Sequence, residues 1–181
     1  VWDATAAQRV DRYLANSAFI ASRVRRSYGR RAEVLHPPVD LARFQPGQSG
    51  DGYLFVSELT GYKRADLVVE AFRGLDRRLT VVGDGPDFAA LNRAAPPNVT
   101  LLGRVSDEAL AAEYAKARAL IFPAEEDFGL TPVEAMAAGR PVLALGRGGA
   151  LETVRDRETG LFFADQTVGD VRDAITRFEA M

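Results

Sequence analysis

Six times along this chain a short, unbroken apolar run ends at a turn residue and gives way to a helical stretch. The runs are YLFVS (Tyr53–Ser57), LTVVG (Leu79–Gly83), VTLLG (Val99–Gly103), ALIFP (Ala119–Pro123), PVLALG (Pro141–Gly146) and LFFA (Leu161–Ala164). They are too short for buried helices and too continuous for strands with one wet face. Strands covered by helices on both faces read this way. Helical spacing follows them: Leu67, Val68, Ala71, Phe72 and Leu75 after the first, and Val168, Val171, Ile175 and Phe178 after the last. Such alternation implies right-handed crossovers, hence an α/β fold: a doubly wound parallel sheet with helices on both faces. In such sheets ligands lie beyond the carboxyl ends of the strands, where these glycine-bearing loops fall.

The first forty residues break the pattern. Their spacing predicts a helix from about Ala4 to Leu14, a second helix capped by Ser17, and a strand and turn in AEVLHPPVD. Pro37 and Pro38 stop regular structure, so a domain boundary is placed there, dividing residues 1–37 from 38–181. Charge divides similarly. Residues 1–45 carry eight arginines against four acids, and the rest carries 15 basic and 21 acidic groups. Much of the excess lies in SRVRRSYGRR (Ser22–Arg31), which reads as a solvated helix face or as a surface for anionic lipid headgroups. The net charge of -2 gives no case for nucleic acid. Without cysteine and with His36 as the sole histidine, disulfides, thiolate sites and histidine-built zinc sites are excluded. No apolar run approaches the ~20 residues that cross a bilayer, and no signal-peptide pattern is present. A cytoplasmic location is the expectation. The chain begins at Val1 and ends at Met181 inside helix-like sequence, as a piece of a longer chain would.

The chemistry concentrates in EEDFGLTPVEAMAAGRPV (Glu125–Val142). Thr131 and Pro132 read as the N-cap and first residue of a helix. Two readings of Glu134 stand: a capping box, reaching back to the N–H of Thr131, or a ligand contact. The helix start offers free N–H groups and a positive dipole end for a phosphate, and Gly129 lets backbone approach it. Glu126, on the loop after a buried strand, is either a solvated acid or a second carboxylate in the same cleft. A carboxylate accepts two hydroxyl donors, so this loop could hold a diphosphate between sugar and ribose hydroxyls. Lys63 and Arg64 follow the first strand of the main sheet and could neutralise that diphosphate. VVGDGPD (Val81–Asp87) reads mainly as a tight turn. GRGGA (Gly146–Ala150) reads as an anion nest or a flexible loop. His36 reads as a loop residue without a catalytic role. No Asp-x-Asp pair marks a metal–diphosphate motif.

Together, VSELTGYKRADLVVEAF, VVGDGP, LLGRVSDEAL and above all FPAEEDFGLTPVEAMAAGRPVLALGRGGALETV resemble the nucleotide-sugar-binding half of retaining glycosyltransferases of the GT-B fold. The resemblance is strongest to the group containing bacterial mannosyltransferases for glycolipids, and it covers nearly the whole chain. It implies a Rossmann-like donor domain over residues 38–181. Residues 1–37 then form the end of an acceptor domain plus a hinge. It also implies that Glu126 and Glu134 are a paired-glutamate motif, the first at the donor sugar and the second at the ribose. Phe128, Gly129, Leu130 and Thr131 resemble the turn whose amides meet sugar and diphosphate. Lys63 resembles a phosphate-binding lysine, and Arg104 and Val105 a loop that reads the base. The implied donor is a GDP- or UDP-sugar, with no metal or further cofactor. The implied acceptor is a lipid-linked or glycan hydroxyl, reached through the other domain at the inner face of a membrane. This chain alone is expected to bind rather than to transfer. One position departs from the family's pattern: Glu58 stands where an arginine often precedes the lysine, and Arg64 is the expected substitute.

Overall fold

Alternation along each central strand sends neighbouring side chains into two separate cores. In the computed structural model, which describes residues 2–181, β3 (Tyr53–Val56) turns Tyr53 and Phe55 to one face and Leu54 and Val56 to the other. In β6 (Ala119–Phe122) Ala119 and Ile121 oppose Leu120 and Phe122, and in β7 (Val142–Leu145) Leu143 and Leu145 oppose Val142 and Ala144. Burial on both faces is why these runs carry no polar alternation. Each fully buried large apolar side chain contributes about 1.5–3 kcal/mol.

With β4 (Leu79–Val82), β5 (Val99–Gly103) and β8 (Gly160–Phe163) these strands form one parallel sheet in the order β5-β4-β3-β6-β7-β8. Helices α3 (Ala65–Phe72), α4 (Phe88–Ala94) and α8 (Val168–Glu179) cover one face. Helices α5 (Asp107–Lys116), α6 (Leu130–Ala137) and α7 (Ala150–Thr153) contribute Tyr114, Ala135 and Ala150 to the core on the other. The strand order reverses between β3 and β6. That reversal opens a crevice at their carboxyl ends.

Two glycines hold the loops beside this crevice together. A Cβ on Gly83 (φ 134°) would lie 1.7 Å from the carbonyl oxygen of Ser57, and one on Gly85 (φ 156°) 2.5 Å from that of Leu59. The VVGDGP loop is therefore a turn pressed against the end of β3, as the sequence suggested.

The amino-terminal segment differs from expectation. The helix expected over Ala4–Leu14 ends at Ala7 (α1, Trp2–Ala7), and Tyr13–Ala15 is a strand, β1, paired in parallel with β2 (Ala32–Val34). The helix stops because its carbonyl ends are taken elsewhere. Arg30 donates to the carbonyls of Ala7, Gln8 and Val10, and the Tyr13 hydroxyl donates to Ala7. Between the strands, α2 (Ala18–Tyr28) begins on the Ser17 cap, whose Oγ accepts from Ile20 N–H at 3.0 Å, and stops at Gly29 in the left-handed region. No helix among the described residues is long and apolar enough to cross a membrane.

Candidate functional site

Two cavities meet at the switch point. The first, of about 520 Å³, takes Lys63, Glu126, Gly129 and Leu130 from the main sheet's loops and Asn16 and Pro37 from the amino-terminal segment. The second, of about 780 Å³, takes Gly83, Arg104, Val105 and Glu134. Ser57, Glu58 and Thr131 line both, so the two form one bipartite crevice.

The turn after β6 is built by glycines. Gly129 adopts φ 84° and is the cap residue of α6, which starts at Leu130 with no side chain capping it. A Cβ there would also press on the Phe122 ring at 3.0 Å. From below, Gly149 N–H donates to Glu126 O at 2.8 Å, and a Cβ on Gly149 would lie 2.3 Å from Phe128 Cα. The GRGGA segment is thus a close-packed support for the turn, not a flexible loop. The first N–H groups of α6 have no partners within the helix and open onto the first cavity.

This geometry overturns the capping box. Because the helix begins at Leu130 and not after Thr131, Glu134 lies beyond the first turn and cannot reach back to Thr131 N–H. Its Oε2 instead accepts from the buried Tyr114 hydroxyl at 2.8 Å. Burial first, and the adjacent Glu134 charge second, push the Tyr114 pKa up, so it stays a donor at any physiological pH. Glu134 is therefore fixed from behind and lines the second cavity.

Lys63 ends a 3-10 turn (Gly61–Lys63), and its ammonium is ion-paired and hydrogen-bonded to Glu126, each side chain only 18% exposed. Burial works against the charged ammonium, but hydrogen bonds to Glu126 and Tyr62 outweigh it and raise the Lys63 pKa. Arg64, expected beside Lys63, lines neither cavity. Its left-handed backbone (φ 59°) turns the guanidinium onto Asp66 and Gln166, 3.3 Å from each. Glu58 faces both cavities, and its carboxylate meets no cation among the described residues. Arg104 is exposed, with no acidic partner among the described residues, and lines the second cavity with Val105. Phe128 is buried, lines the first cavity and stacks on His36, centroids 5.4 Å apart.

Glu152 is the residue that sequence reasoning missed, and His36, read as a loop residue, is its partner. Glu152 accepts from Ala18 and Phe19 N–H, at 2.8 Å each, and lies 3.4 Å from His36 Nε2. It thereby ties the start of α2 and the loop at His36 to α7. Arg23 adds a contact to Asp127 at 3.3 Å. The N-cap at Ser17 was a readable signal for a helix start needing an anion, but nothing in the sequence says which carboxylate supplies it.

A parallel sheet with a bipartite crevice at its switch point, floored by a glycine turn and a helix start, defines the Rossmann-like half of a GT-B fold. The model of the family described as glycosyl transferases group 1 matches residues 44–181, and the chain belongs to that family. It is 32% identical over 192 residues to the GDP-mannose-dependent alpha-(1-6)-phosphatidylinositol monomannoside mannosyltransferase of Mycobacterium tuberculosis, covering 88% of this chain and 50% of the relative. It is 31% identical over 199 residues to the D-inositol 3-phosphate glycosyltransferase of Nocardia farcinica, covering 91% and 44%. The chain thus spans about half the length of the curated relatives it matches. Among solved structures, a sucrose-phosphate synthase of Thermosynechococcus elongatus superposes with TM-score 0.86 at 25% identity, over 98% of this chain and 51% of that one. Anabaena HepE, solved with UDP and glucose, superposes with TM-score 0.83 at 19% identity over 95% and 54%, a likeness of fold alone.

Proposed function

We propose that this chain is the donor-binding half of a retaining glycosyltransferase that moves a hexose, mannose first among them, from a nucleoside diphosphate to a lipid-linked or glycan hydroxyl. The observation that carries this reading is the joining of two cavities across Thr131, with Lys63 and Glu126 in one and Glu134 in the other. The diphosphate lies over the Gly129–Thr131 amides, the hexose toward Glu126, the ribose at Glu134 and the base along Arg104 and Val105. The GDP-mannose dependence named for the Mycobacterium relative favours GDP over UDP.

In the transfer, the bond from the sugar's anomeric carbon to the diphosphate oxygen breaks, and a bond to the acceptor oxygen forms on the same face. The acceptor's proton passes to the leaving phosphate. Lys63 and the dipole at the start of α6 stabilise the charge developing there, in a crevice where water screens it poorly. No metal is required in this scheme, because these groups supply the positive charge. The other domain supplies the acceptor. Arg9, Arg25, Arg26 and Arg31, all exposed, suit a peripheral contact with anionic lipid at the cytoplasmic face.

A second reading keeps the site and drops the turnover: a module that binds nucleotide sugars. The half-length span of the chain favours it for this piece taken alone. Calorimetry with GDP, UDP, GDP-mannose and UDP-glucose, run beside a transfer assay, separates the two. Binding with transfer supports the enzyme, binding without transfer supports the module, and no binding removes both.

A further inference from the structure

The first cavity holds its cation in an unusual state. Among the described residues, Lys63 is the only Lys or Arg lining it, against Glu58, Glu126 and Asp127. Asp127 is paired with Arg23, and Lys63 is ion-paired with Glu126 through Oε1. Arg64 is held away on Asp66 and Gln166. Among the described residues, an anion entering this cavity therefore finds no unpaired Lys or Arg there, and Glu58 lines it without an ion-pair partner.

A nucleoside diphosphate competes with Glu126 for Lys63, and the stronger its hold on the ammonium, the more it draws Lys63 from that carboxylate. That leaves a largely buried carboxylate without its counter-ion, and separating a buried pair while leaving one charge behind is strongly unfavourable. A hexose on the diphosphate changes the balance. Its hydroxyls donate charge-assisted hydrogen bonds to Glu126, including the Oε1 that the ammonium vacates. Lys63 can then move to phosphate with both groups satisfied. The 3-10 turn fixes the Lys63 backbone through its N–H bond to Thr60 O at 2.9 Å, so the exchange is a side-chain swing and not a loop movement.

Resting on the donor site proposed above, we propose that the Lys63–Glu126 pair is an exchangeable lock that discriminates a sugar-bearing nucleotide from the bare nucleoside diphosphate. It opens only when hydroxyls replace the ammonium on Glu126, and it re-forms once the hexose has left, displacing the product.

Calorimetry on the full chain tests this with GDP, UDP, GDP-mannose and UDP-glucose. Glu126→Gln frees Lys63 while keeping size and polarity. Its affinity for the bare diphosphate is expected to rise about tenfold, because the strong pair no longer competes. The sugar nucleotide's advantage over the bare form should shrink. A gain in affinity cannot come from misfolding, and Glu126→Ala serves if the glutamine variant does not fold. The gain must also vanish in a Lys63→Met background. Unchanged or weaker diphosphate binding in the Glu126 variants overturns the lock while leaving the donor site standing. So does a gain that persists without Lys63, since Glu126 then acts only by direct repulsion. No binding of any nucleotide to any form removes the donor site itself, and the lock with it.

Discussion

The buried hydroxyl of Tyr114 donates to Glu134 across the packed interface of α5 and α6, at 2.8 Å, and so aims a carboxylate at the larger cavity from behind. Tyr114 is itself wedged edge-on against Phe44, centroids 5.4 Å apart. A carboxylate held by a rigid donor in the core is preorganised for a second donor from solvent, such as a pair of ribose hydroxyls.

Glu134→Gln keeps a carbonyl acceptor for Tyr114 and removes the charge. We expect its unfolding midpoint to stay within a degree or so of the parent, while nucleotide affinity falls about tenfold. Glu134→Ala strands a buried hydroxyl and is expected to cost about 1–3 kcal/mol of stability as well. Denaturant melts and calorimetry on both variants check this. Equal stability losses and unchanged affinity would return Glu134 to a structural role.

Gly149→Ala places a Cβ against Phe128 Cα and the backbone carbonyls of Asp127 and Phe128. Rigid backbone cannot yield there as a flexible side chain can. The variant is expected to lose about 1–3 kcal/mol and to bind nucleotide more weakly, because the donor turn must shift. Gly61→Ala, with open space around it, is the matched control. Thermal melts and calorimetry on the pair are the measurement, and equal behaviour would mean that the turn tolerates displacement.

Glu152 governs how the amino-terminal segment holds to the main sheet under acid. Burial raises its pKa, but hydrogen bonds from Ala18 N–H, Phe19 N–H and His36 outweigh it, and the net shift is downward. A lowered folded pKa means that its stabilisation is complete above the ordinary carboxylate pKa and disappears as pH falls through the lowered value. Docking of residues 1–37 should therefore weaken on acidification within that acidic range and hold steady above it. Limited proteolysis of this segment across pH reads the effect. Glu152→Gln should be more easily cleaved near neutrality and lose most of the acid dependence.

Much of the main sheet was legible because its strands are buried on both faces, which strips polar residues from the runs and leaves the turns marked by glycine and proline. β1 was not, because three residues carry little periodicity and Tyr13–Ala15 is a strand only by pairing with Ala32–Val34. The start of α6 was misplaced by two residues, since Thr131-Pro132 is a strong local signal while the cap falls on Gly129 at positive φ, where a Cβ would press on Phe122. Lys63, Glu126 and Glu134 could be picked out by type and spacing. That Lys63 and Glu126 pair, that Arg64 turns away and that His36 stacks on Phe128 depend on contacts between residues far apart in the chain, which spacing does not encode.

The most direct test of the donor site is a crystal structure of this chain grown with GDP-mannose, with UDP-glucose as the alternative. The diphosphate should lie over the amides of Gly129–Thr131 beside Lys63, with the ribose hydroxyls on Glu134 and the hexose on Glu126. A nucleotide seated instead at the opposite ends of the strands, in the cavity lined by Arg78, Asn98 and Lys116, would contradict it. So would a crevice left empty at saturating ligand.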